Sequence, residues 1–199
     1  MATIESLTIE VPDVTASRAF YEALGLSGLV HLAPTTTAPR GFRGFALGLV
    51  SSQPAMVDAL AAAALTAGGT PLQPVKRSLW GYGGTLLAPD RTVVSLASSS
   101  KKSTGPARSE VDDVVLQLGV ADVAASRRFY SDRGFEVTKS FGRRYVELAA
   151  GPVSLTLNPR EKLAKTMGVD PEASASHGLA IVADVDPGTD PDGFAWVCP

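Results

Sequence analysis

The 199-residue chain is poor in most of the side chains that carry chemistry. It has one cysteine, Cys198, and two histidines, His31 and His177. A lone cysteine permits no disulfide within the chain and no cysteine-based zinc site. A nucleophilic role so near the terminus has nothing to position it. No run of Lys or Arg is longer than two, and the net charge is −2. That excludes the basic face on which nucleic acid or an anionic membrane surface depends, so neither is expected as a partner. No stretch approaches the roughly 20 apolar residues of a membrane span. The opening MATIESLTIE carries Glu5 and Glu10 where a signal peptide needs a basic and then an apolar segment. No nucleophile elbow, P-loop, H-E-x-x-H or dinucleotide fingerprint is present, and the glycines of Gly81–Gly84 lack phosphate-loop spacing. With 45% hydrophobic residues the chain can bury a core. A soluble, cytoplasmic protein is expected.

What the chain does have is a repetition. Val11–Tyr21 reads VPDVTASRAFY and Val120–Tyr130 reads VADVAASRRFY, identical at eight of eleven positions. Before the first copy, Ile4–Val11 alternates with Leu7, Ile9 and Val11 on one face and Ser6, Thr8 and Glu10 on the other, as a half-buried strand does. Thr15–Leu24 follows as a helix closed by Gly25. Short strands at Leu29–Leu32 and Phe45–Val50 flank a polar loop. Pro54–Ala67 is a helix with Pro at its start and Gly68-Gly69 at its end. Strands fit Leu72–Arg77, Tyr82–Leu87 and Thr92–Ala97. Ser98–Glu110 is a polar linker. The second copy then gives a strand at Val114–Leu118, a helix at Ala124–Arg133, and strands near Glu136–Phe141, Arg144–Leu148 and Val153–Leu157. A short helix at Glu161–Met167 and strands at Leu179–Val182 and Phe194–Val197 complete it, with Gly119 as an inserted bulge. Residues 1–98 and 110–199 are thus two domains joined by 99–109, the second shortened. Phe20, Tyr21, Phe129 and Tyr130 at helical spacing are scaffold.

These motifs resemble the vicinal oxygen chelate superfamily of glyoxalases, extradiol dioxygenases and bleomycin-resistance proteins. The resemblance rests on V-x-D-V-x-A-S-x-x-F-Y in both halves. It also rests on A-P-D-R-T-V-V-S at Ala88–Ser95, D-P-D-G-F-A-W at Asp190–Trp196 and W-G-Y at Trp80–Tyr82. It implies an α+β fold of two tandem βαβββ-type units, with cupped mixed sheets, helices on the convex face and a small-molecule cavity. It also implies a divalent metal held by His on the first strand, His opening a later strand and Glu on the last. In repeat 1 these positions fall on Ser6, near Phe45 and on Ser95; in repeat 2 on Asp113 or Val115, His177 and Val197. One or two ligands out of three do not make a site, so no metal or other cofactor is expected. His177 reads as an ordinary histidine beside a strand start, its alternative being a ligand with Asp113 and Glu147. His31 has no carboxylate near it in the pattern.

Strand alternation sends Ser6, Thr8, Glu10, Asp113 and Gln117 to the face opposite the helices, which in the resembled fold is concave. Trp80 and Tyr82 offer an aromatic wall. Tyr145 and Glu147 share a strand face, where Glu147 could engage a cationic ligand or pair with Arg43, Arg143 or Arg144. Three readings follow. The first is a metal-free protein binding a small organic molecule, as a monomer whose repeats form a pseudo-dimer or as a homodimer. The second is a lyase, isomerase or dioxygenase of the superfamily, using metal or acid–base residues. The third is a non-catalytic scaffold.

Overall fold

A computed structural model describes residues 2–79, 81–172 and 177–199. Repeat 1 contains β1 (Ile4–Val11), α1 (Val14–Ala23), β2 (Val30–Pro34), β3 (Phe45–Val50), α2 (Pro54–Thr66), β4 (Thr70–Ser78), β5 (Gly81–Leu87) and β6 (Val93–Ser98). Repeat 2 contains β7 (Asp113–Val120), α3 (Val123–Asp132), β8 (Glu136–Ser140), β9 (Val146–Ala150) and β10 (Val153–Pro159). It continues through α4 (Arg160–Met167), β11 (Leu179–Ala183), β12 (Gly188–Thr189) and β13 (Ala195–Val197). The fold is α+β with mixed sheets, as the tandem pattern implies.

The strands pair across the repeats. One sheet has eight strands in the order β4-β5-β6-β3-β7-β10-β9-β8, joined at its middle by the antiparallel pair β3·β7. The other has five, β12-β13-β11-β1-β2, joined by the antiparallel pair β1·β11. Each sheet therefore draws strands from both repeats. One continuous core, including Leu7, Ile9, Leu47, Leu116, Leu155 and Ile181, binds the two together. Gly119 is not a bulge: the ladders through β7 run without a register shift there. Its missing side chain instead admits Gly44 O and Arg160 Cα, which a Cβ would meet at 3.0 and 3.2 Å.

The duplicated motif is explained by what its residues do. Asp13 caps α1 by accepting from the Ala16 amide, and Asp122 caps α3 by accepting from those of Ala124 and Ala125. Phe20 and Tyr130 are fully buried, and Tyr21 nearly so. Phe129 is only half-buried, with the Arg133 guanidinium 3.6 Å over its ring. Each motif tyrosine reaches the Pro-containing turn of its own repeat: Tyr21 Oη donates to Asp90 Oδ2 at 2.8 Å and Tyr130 Oη to Asp190 Oδ2 at 2.5 Å. The carboxylate used comes from different turn positions. In repeat 2, Asp190 takes the tyrosine and Asp192 takes Ser126 Oγ at 2.9 Å. In repeat 1, Ala88 stands before Pro89 where Asp190 stands before Pro191, so Asp90 serves the tyrosine. Ser17, the counterpart of Ser126, is left buried with no partner among the described residues.

Burial first, and the facing aspartate second, hold both phenols well above their ordinary value of 10.0. A group whose folded pKa is raised contributes stability below its unfolded pKa and loses it as pH rises further. Tyr21→Phe and Tyr130→Phe should each cost about 1.5–3 kcal/mol at neutral pH, the worth of a hydrogen bond to a charged group. Urea unfolding should show that cost shrinking above about pH 10. Asp190 follows the same sign at lower pH. Burial raises its pKa, so ionisation opposes folding, and its unfavourable contribution grows as pH climbs through and above the ordinary carboxylate range. Asp190→Asn should flatten that part of the stability–pH curve.

Candidate functional site: the cup of the eight-stranded sheet

Ladder register fixes which side chains share the concave face, because paired residues point the same way. Phe45, Leu47 and Leu49 of β3 enter the core, so Ala46, Gly48 and Val50 face the cup. Gly48 lies opposite Ser95 on β6 and Val115 on β7, and Ala46 lies opposite Gln117. Across β7, Gln117 is level with Thr156 on β10, which is level with Glu147 on β9. Over these strands is a cavity of about 240 Å³, lined among others by Gly48, Ser95, Val115, Gln117, Tyr145 and Thr156.

Its polar groups are joined in pairs. Gln117 Nε2 donates to Ser95 Oγ at 3.0 Å, passing over the bare backbone of Gly48. A Cβ at that glycine would lie 2.8 Å from Gln117 Nε2 and 3.4 Å from Ser95 Oγ. Asn158 Nδ2 donates to Thr156 Oγ1 at 3.1 Å. Tyr145 Oη donates to Glu147 Oε2 at 2.8 Å. Burial, then that bond and the Glu147 charge, raise the Tyr145 phenol, so it remains a proton donor at physiological pH. At the far end of β7, Ser154 Oγ donates to the Asp113 carboxylate at 3.2 Å.

The residues expected to line one concave face divide between two. Asp113, Gln117, Tyr145 and Glu147 belong to the eight-stranded cup. Ser6, Thr8 and Glu10 belong to the five-stranded sheet, where Thr8 lies level with His31 and Ala180, and Glu10 with Ala33. Tyr82 faces neither. It packs against the core, and its hydroxyl donates to Asp58 on α2 at 2.7 Å. The cause is visible in the strand's own alternation, because Tyr82 has the parity of buried Leu86 while Thr85 has that of the cup. Trp80 lies outside the described residues. Glu147 pairs with Tyr145, not with Arg43, which is buried elsewhere. Thr156 was missed, although Val153–Leu157 alternates and places Ser154 and Thr156 on its polar side.

The donors present do not fit the metal that the resemblance implies. Ser6 and Ser95 are on different sheets and Phe45 is core, so the three repeat-1 positions do not converge. The cavity itself is lined by one amide and several hydroxyls, all neutral, and the cup's two carboxylates, Asp113 and Glu147, accept from Ser154 and Tyr145 instead of converging as the imidazole, thiolate or carboxylate ligands a divalent cation takes. Both ring nitrogens of His177 meet backbone oxygens, Nδ1 at 2.6 Å from Arg43 O and Nε2 at 3.0 Å from Asp192 O. The ring also stacks on Phe194. Among the described residues no three His, Cys, Asp or Glu side chains are grouped to hold a metal, and no helix is long and apolar enough to cross a membrane.

No family model and no curated protein sequence matches the chain. Solved structures do. Glyoxalase I from Zea mays is similar over 98% of this chain and 91% of its own, with a TM-score of 0.59 and 14% identity. A putative dioxygenase from Bacillus subtilis subsp. subtilis str. 168 is similar over 90% of this chain and 69% of its own, with a TM-score of 0.57 and 12% identity. Both likenesses run through both repeats at identities that speak for architecture alone. The chain has a glyoxalase-like fold.

Proposed function

We propose that the protein binds a small organic molecule in the cup of the eight-stranded sheet, and does so without a divalent metal. The observation that carries this reading is the grouping of Ser95, Gln117, Tyr145 and Thr156 around an apolar floor of Val50, Ala97 and Val115. An apolar concavity with a few convergent hydrogen-bonding groups is the general form of a small-molecule site. Gly48 belongs to the same design, because its missing side chain makes room for the Gln117–Ser95 pair.

The test is a fragment screen followed by NMR titration of the labelled protein. Bound fragments should shift the backbone amides of Gly48, Ser95, Val115, Gln117 and Thr156. Gly48→Val, whose side chain would displace the Gln117 amide from Ser95, should weaken that binding by about 100-fold or more, the equivalent of roughly 2.8 kcal/mol. Fragments mapping to Ser6, Thr8 and Glu10, or binding that Gly48→Val leaves intact, would contradict the reading.

A further inference from the structure

The concave face of the eight-stranded sheet is not all open. α4 lies across one end of it. Leu163, Ala164 and Met167 pack with Phe42, Ala46 and Val93, and Leu87 joins the same cluster. Ala46, Val93 and Leu87 share one row with Gln117, so the helix covers the part of the cup next to the polar pairs. Two hydrogen bonds hold its last turn down: Thr85 Oγ1 donates to Met167 O at 2.9 Å and Gln73 Nε2 to Thr166 O at 3.1 Å. Gly119 lets β7 pass beneath its start, where a Cβ would stand 3.4 Å from Leu163 Cδ2. α4 is a fixed occupant of the cup.

What it leaves is small and uncharged. The cavity of about 240 Å³ is lined by no charged side chain. Pockets for drug-sized ligands run from roughly 300 to 1,000 Å³. An ionised ligand would give up its hydration with no counter-charge in the wall to replace it. Glu147, which accepts from the lining residue Tyr145, opposes an anion. Gln117 presents an amide that can both donate and accept, with three hydroxyls around it.

We infer that the cup takes an uncharged molecule about the size of a single ring, carrying both a hydrogen-bond donor and an acceptor, and that α4, packed on the row that holds Gln117, bounds the space at that end. This rests on the cup being the ligand site proposed above.

Benzamide, benzoate and 2-naphthamide are suitable probes, titrated by NMR into the wild type, Leu163→Ala and Met167→Ala, with the milder Leu163→Val in case the alanine variants unfold. Benzamide should shift the Gln117 and Ser95 amides. Benzoate and 2-naphthamide should bind the wild type at least about tenfold more weakly, a discrimination within reach of pocket shape and desolvation. Shortening α4 side chains should narrow the gap between 2-naphthamide and benzamide and leave the gap to benzoate unchanged. Equal binding of the three probes at the cup, or a size preference that no α4 variant alters, would overturn this inference alone. Failure of all three to shift any cup residue would overturn it together with the cup as ligand site.

Discussion

Residues 1–104 and 105–199, produced separately, are expected not to fold, and a 1:1 mixture is expected to regain the native spectrum. The reason is where the strands pair. The eight-stranded sheet is joined at β3·β7 from Phe45↔Leu118 to Val50↔Asp113, and the five-stranded sheet at β1·β11. Splitting the chain at the linker breaks both ladders at once. Phe45, Leu47 and Leu49 on one fragment, and Leu116, Leu118 and Ile181 on the other, lose the core they share. At about 1.5–3 kcal/mol for each large apolar side chain returned to water, a few such losses exceed the roughly 5–15 kcal/mol by which domains are stable. Circular dichroism with thermal melting of each fragment and of the mixture decides it. Cooperative melting of each fragment alone near the intact protein's midpoint would contradict this account of the two sheets.

The second large effect belongs to Arg43, which is 2% exposed. Its guanidinium uses every N–H it has. Nε donates to His177 O at 2.8 Å, and Nη2 to Gly178 O at 2.7 Å and Glu10 O at 3.1 Å. Nη1 donates to Asp90 O at 3.4 Å and to Thr92 Oγ1 at 3.3 Å. Glu10 and Gly178 flank the β1·β11 pair, whereas Asp90 and Thr92 lead into β6. The one side chain therefore ties the end of the five-stranded sheet to the eight-stranded one. Burial lowers its pKa, against the opposing charges of Asp90 and Glu10. Removing it orphans several buried acceptors, so Arg43→Ala should cost about 3–5 kcal/mol in urea unfolding. Arg43→Lys, with three donors and no planar fork, should recover only part of that. A loss below about 1 kcal/mol for Arg43→Ala, within the range of exposed pairs, would show that the latch contributes little.

Much of this architecture is legible in the residues. Asp13 and Asp122 sit at N-cap positions, the motif aromatics recur at helical spacing, and Leu7, Ile9 and Val11 alternate with Ser6, Thr8 and Glu10. What alternation cannot tell is which strand lies alongside. Period-2 patterning in Phe45–Val50 reports two faces and says nothing of β7 as neighbour, so the crossing of strands between repeats is hidden, and with it the separation of Ser6, Thr8 and Glu10 from Gln117. Arg43 is hidden for a different reason. It stands in a polar segment rich in Arg, Pro and Gly, and its burial comes from carbonyl oxygens far away in sequence. Gln117, Tyr145 and Glu147 could be placed because strand parity governs them directly. Tyr82 obeys the same parity, which sets it on the face of buried Leu86 and away from the cup.

The proposal that the cup works without a divalent metal is tested most directly by metal content. The protein is offered zinc, manganese, nickel and iron in turn, gel-filtered, and analysed by plasma mass spectrometry beside a Gln117→Ala variant. A cavity lined by neutral amide and hydroxyl donors, with Asp113 and Glu147 engaged by hydroxyls, predicts that none of the metals is retained beyond a small fraction of an equivalent, in either protein. Near-stoichiometric metal in the wild type that disappears in Gln117→Ala would place a metal centre in the cup and contradict the account.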